Sequence, residues 1–119
     1  MPVLEEIRAK YAKSEKVVDK YGRIITVRLL TVSQRTEIRK WAGTDDASVQ
    51  APMLFAASVC MINDLPYTFP KTQAELSSIM DMLDDDGVLV IAQAYAKLID
   101  EKTEEQEIDA AKNLPATAS

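Results

Sequence analysis

At 119 residues the chain has room for one domain, at roughly 100–200 residues per domain. Its 47% hydrophobic and 28% charged composition fits a packed globular fold rather than a disordered or fibrous one. Fourteen basic against nineteen acidic side chains give a net charge of −5, which opposes approach to a phosphate backbone, so nucleic acid is not an expected partner. No apolar run reaches the about 20 residues that cross a bilayer, so no membrane partner is expected, and Cys60, the single cysteine, excludes an internal disulfide. The opening residues, MPVLEEIRAK, are charged and amphipathic where a signal peptide would be apolar, so the chain is expected to stay in the cytosol.

Pro2 stands where a first helical position tolerates proline, and Leu4, Ile7 and Tyr11 recur at helical spacing up to about Lys13. This predicts a short helix with a thin apolar stripe. A hairpin over about 16–30 follows: Lys16–Asp19, a turn Lys20–Arg23 in which Gly22 supplies positive φ, and the β-branched run Ile24–Leu30. In that second strand Ile25, Val27 and Leu29 form the clean apolar face. A two-stranded hairpin is marginal in water, so it must lie on helices.

Thr31-Val-Ser-Gln34 has capping-box form and opens a helix to about Trp41, which Gly43 closes in the left-handed conformation. Thr44-Asp-Asp46 caps a further helix with Pro52 in its first turn or at a kink, and its apolar body runs from Met53 through Ile62. Cys60 falls in this run and reads as a buried small hydrophobe. The segment Asn63–Pro70 is a loop whose Leu65, Tyr67 and Phe69 can fold back on the core. A second capping box, Thr72-Gln-Ala-Glu75, starts a helix carrying Leu76, Ile79, Met80 and Leu83. Asp84-Asp-Asp-Gly87 interrupts it, and Val88, Ile91, Ala92, Tyr95, Leu98 and Ile99 renew the spacing, giving two antiparallel helices joined by an acidic turn. The expected fold is mainly α with a small hairpin (α+β): a short N-terminal helix, the hairpin, and about four helices in a small bundle. Residues 1–100 form a single domain and 101–119 a flexible acidic tail.

Histidine is absent, which removes the usual general base, the commonest transition-metal ligand and every Ser-His or Cys-His arrangement. Gly22, Gly43 and Gly87 are too scattered for a phosphate-cradling loop. Aligning Gly87 with the sixth position of a calcium loop places Met82 and Gln93 where the first and last oxygen ligands belong, so the acidic turn reads as a solvated cap. Glu75, Asp81 and Asp84 are spaced carboxylates with no cleft-forming sequence around them. Arg35, Arg39 and Lys40, beside Trp41, read as a solvated helix face interrupted by Glu37. Met53, Met61, Met80 and Met82 suit core filling, or an adaptable apolar binding surface. No catalytic residue, metal ligand or cofactor site is expected, and an enzyme is the least favoured class.

Two segments read in order carry a resemblance. Gly22-Arg-Ile-Ile-Thr-Val-Arg-Leu-Leu-Thr-Val-Ser-Gln-Arg-Thr-Glu-Ile-Arg-Lys-Trp41 resembles the strand-then-helix opening of bacteriophage tail assembly chaperones, as found in siphoviruses and prophages. Ala56–Phe69 is similar to their middle segment, a small-residue helix ending in an acidic turn and a proline-aromatic loop. Glu104–Asn113 is similar to the acidic helix end of their short form. Where such proteins usually carry a glycine in the middle turn, this chain has Asn63-Asp-Leu-Pro66. The resemblance implies a non-enzymatic chaperone in the host cytoplasm, absent from the mature virion. Its partners would be the tape measure protein, which it keeps soluble, and tail tube protein, which it helps to recruit; self-association is compatible. The stripe Leu4, Ile7, Tyr11 is the candidate client-binding surface. The resemblance also implies a longer product made by minus-one frameshifting, with Ala111-Lys112-Asn113 as the candidate slippery region. Another small phage interaction protein, a head-tail completion factor or an acidic anti-host-defence protein, is the alternative.

Overall fold

The β-branched run after Gly22 forms an inner strand of a sheet, not one half of an isolated hairpin. A computed structural model describes the backbone of residues 3–113 and side chains as far as residue 100. Strand β1 (Ser14–Val18) pairs antiparallel with β2 (Ile24–Arg28), and Val18 faces Ile24 across the turn. Gly22 takes φ 79° there, the conformation expected of it. Strand β2 then pairs with β3 (Val59–Ile62), and β3 with β4 (Leu65–Pro66), giving the order β1-β2-β3-β4.

Two expectations are corrected by this sheet. The apolar run Met53–Ile62 is not one helix: the helix stops at Ala57, and Val59–Ile62 is a strand. Four consecutive apolar residues cannot be told from a helix end by periodicity, because the run carries no polar residue to mark the exposed face on which Met61 lies. The second correction is Leu65, which stays 65% exposed, whereas Tyr67 and Phe69 do fold back on the core and Phe69 stacks on Trp41 at 5.9 Å. Between Thr26–Val27 and Val59–Met61 the register shifts, leaving Cys60 as the extra residue of a bulge. Its thiol donates to the Thr26 carbonyl at 3.4 Å, and burial pushes its pKa up, as suits an inert cysteine.

The β3–β4 turn is held by Asn63, which sits at φ 53°. Asparagine tolerates this left-handed conformation better than any other residue except glycine. Its side-chain oxygen also accepts the Ile24 N–H at 3.0 Å, while its own N–H donates to the Ile24 carbonyl at 2.7 Å, so the turn is stitched to β2. Asn63→Ala is therefore expected to cost about 1–2 kcal/mol, from backbone preference plus one lost hydrogen bond. Asn63→Gly is expected to lose about half of that, since glycine keeps the conformation. Denaturant titration of the two variants checks the ordering.

Around the sheet lie α1 (Val3–Ala12), α2 (Val32–Ala42), α3 (Ala47–Ala57) and α4 (Gln73–Asn113). The first capping box forms as expected: Thr31 Oγ1 accepts the Gln34 N–H, the Gln34 side chain accepts the Thr31 N–H, and Gly43 closes α2 at φ 66°. Asp46 caps α3 through the Ser48 N–H. Pro52 is the sixth residue of α3, past the first turn, the first of the two places expected for it, so α3 runs with one backbone donor missing. At Thr72 half of the second box forms: its hydroxyl accepts the Glu75 N–H, but the Glu75 carboxylate reaches back to the Lys71 N–H instead.

Helix α4 is broken at Asp84, which takes φ 61° and ψ 177°. That combination belongs to glycine and is strained elsewhere by about 1–3 kcal/mol. The sharpness of the bend shows at Gly87, where an added Cβ would lie 3.1 Å from Leu83 Cβ. The helical halves before and after the break supply Leu76, Leu83, Ile91, Tyr95 and Leu98 to the core, beside Ile25, Val27 and Ile62 of the sheet and Met53 and Ala56 of α3. The fold is thus α+β, with α4 packed on β1, β2 and α3. The acidic tail expected over 101–119 lies outside the described residues, apart from the helical backbone that α4 carries to Asn113.

Candidate functional site

Helix α1 buries none of its residues. Of the stripe singled out in the sequence, Leu4 is 57% and Ile7 46% exposed, and Val3 joins them on the surface. Tyr11 differs: it is half-buried and rests against the core. Near it the Tyr95 hydroxyl accepts the Leu30 N–H at 3.2 Å, and burial pushes the Tyr95 pKa up. The three residues are therefore brought together on one helix, anchored at the Tyr11 end and open at the other.

Between α1 and the start of α2 runs an open groove of ≈ 1000 Å³. Ile7, Arg8, Tyr11 and Ala12 line one side, and Thr31 and Val32 the other. Val32 is 65% exposed. Sequence reasoning missed this wall, because Val32 stands at a first helical position where no apolar periodicity marks it. The signal was there in another form: a valine straight after a capping threonine has no helix face to bury against.

The densest polar cluster lies elsewhere, where the β1–β2 turn meets the break in α4. Asp19, whose side chain is fully covered, accepts the Tyr21 and Arg23 N–H groups on Oδ1 and the Arg23 Nε on Oδ2 at 2.7 Å. Burial on its own would raise the Asp19 pKa, but these Arg23 and Tyr21 donors and the guanidinium charge outweigh it and hold the carboxyl below its ordinary value. Arg23 also donates to the carbonyls of Met82 at 2.9 Å and Leu83 at 3.3 Å, placing a cation on the end of the first half of α4. The Asp86 carboxylate accepts the Lys20 N–H at 3.0 Å, and Asp84 lies 3.5 Å from the Tyr21 hydroxyl. Every partner here is a backbone or side-chain group of the fold itself, so the cluster is a clamp between hairpin and helix.

Other candidate groups are placed as follows. Arg35, Arg39 and Lys40 are exposed on α2, and Lys40 lies 3.8 Å from Glu37. Met53 is in the core and Met80 half-buried, whereas Met61 and Met82 are surface residues. Glu75 is engaged with Lys71, and no group of three or more His, Cys, Asp or Glu side chains suited to a metal gathers among the described residues. No helix among them is long and apolar enough to cross a membrane. Side chains of Ala111, Lys112 and Asn113 lie outside the described residues. No known protein family, curated protein or solved structure matches the chain.

Proposed function

We propose that the protein is a non-enzymatic tail assembly chaperone of a long-tailed phage or prophage. It covers apolar helical segments of the tape measure protein during tail assembly, keeps them soluble, and helps to recruit tail tube subunits. It acts in the host cytoplasm and leaves before the virion is complete. The resemblance of residues 22–41 and 56–69, in that order, supports this reading. The observation that carries the mechanism is the uncovered stripe of α1: Val3, Leu4 and Ile7 offer apolar contact on a helix that meets the core only through half-buried Tyr11, so this stripe is open to another chain. The net charge of −5 keeps such a complex dispersed.

The test is co-expression with the tape measure protein of the same genome. The client is expected in the soluble fraction only when the chaperone is present, and Leu4→Glu combined with Ile7→Glu is expected to return most of it to the pellet while the variant itself stays folded. A client equally soluble with and without the wild-type protein would remove the chaperone reading.

A further inference from the structure

The occupant of the α1–α2 groove can be specified further, on the premise of the chaperone reading. We propose that the groove receives an amphipathic helix whose apolar stripe is flanked by carboxylates. Three observations carry this. First, α1 is ten residues long with no fully buried residue and is held to the core through Tyr11 alone among its apolar side chains, so its stripe of Val3, Leu4 and Ile7 is left for another chain to cover. Second, the groove has an apolar floor from Ile7, Tyr11, Ala12 and Val32, and it runs between two helices rather than along a strand edge. That geometry takes Leu, Ile or Phe side chains from a helix at i, i+3, i+4 and i+7, and offers no main-chain pairing to an extended peptide.

Third, charge is distributed unevenly along the chain. Residues 1–42, which build α1, the β1–β2 hairpin and α2, carry ten basic and five acidic side chains, whereas 43–119 carry four basic and fourteen acidic. The groove lies wholly within the basic part. Arg8 is an exposed member of its wall, and Arg35 is exposed one turn along α2 from Val32. An occupant flanked by Glu or Asp meets these cations, and one flanked by Lys or Arg is repelled. Phosphate would meet the same cations, but the apolar floor gives nucleic acid no matching surface.

Binding of two labelled synthetic helical peptides to the purified full-length protein tests the proposal. Both carry the same leucine stripe; one has glutamate flanks and the other lysine flanks. The glutamate peptide is expected to bind at least about tenfold tighter, with a preference that shrinks at high salt. Ile7→Glu is expected to weaken it by about tenfold or more, and Arg8→Glu to abolish the preference between peptides. Circular dichroism should show both variants folded, since both positions are exposed. Equal affinity for the two peptides, affinity unmoved by Ile7→Glu, or displacement of the peptide by an oligonucleotide would each overturn the proposal. Failure of both peptides alongside a client rescued by co-expression would sink the groove chemistry and leave the chaperone standing. Peptide binding beside a client that stays insoluble would do the reverse.

Discussion

Asp19→Ala is expected to destabilise the fold by about 2–4 kcal/mol. Removing one partner of a covered ion pair typically costs about 3–5 kcal/mol, because the other charge is left without compensation. The lower range applies because Arg23 is one-fifth exposed and keeps the Met82 and Leu83 carbonyls as acceptors. Three hydrogen bonds to Asp19 are lost, and with them the geometry that aims Arg23 at the α4 break. A double-mutant cycle with Arg23→Ala should therefore show coupling, the double variant being less damaged than the sum of the singles. The effect depends on pH with a definite sign. The folded-state pKa of Asp19 lies below its unfolded value of about 3.9, so its contribution is complete above that value and is lost as pH falls through the folded pKa. The stability gap between wild type and Asp19→Asn should accordingly be widest near neutral pH and narrow below about pH 4. A gap independent of pH would show that Asp19 acts through packing and not through its charge.

Ile91→Asp is expected to unfold the protein. Ile91 is fully buried in the second half of α4, and burial of such a side chain is worth about 1.5–3 kcal/mol. The substitution forfeits that and adds a carboxylate with no partner, for a combined loss of at least about 4–5 kcal/mol against a typical total stability of about 5–15. Leu89→Asp provides the control: Leu89 is 58% exposed two residues earlier, and its replacement should stay within about 0.5 kcal/mol. Thermal melts of the pair test the helical register directly.

Much of the fold is written locally. Thr31 and Gln34, Asp46, Gly22 and Gly43 each have chemistry that suits one backbone role, and each fills it. Leu76 and Leu83, or Ile91, Tyr95 and Leu98, are spaced for one helix face and are buried together. What could not be read depends on tertiary context. Val59–Ile62 becomes a strand because β2 offers it an open edge, and nothing within the run distinguishes that from a helix end. The break in α4 falls at Asp84 and not at Gly87, because Arg23, sixty residues distant in sequence from Leu83, supplies the donors for the carbonyls freed there. The apolar stripe of α1 was legible, since its period is local; Val32 opposite it was not, because a groove is a relation between two elements.

Amide hydrogen exchange of the protein with and without tape measure segments reads out whether a client covers α1. Free α1, short and without a buried residue, should exchange rapidly, while β2 and the core positions of α4 exchange slowly. On adding client, amides of residues 3–12 and 31–33 should slow by about tenfold or more, with the clamp around Asp19 and Arg23 unchanged. Protection that appears on another face while α1 continues to exchange rapidly would contradict the account.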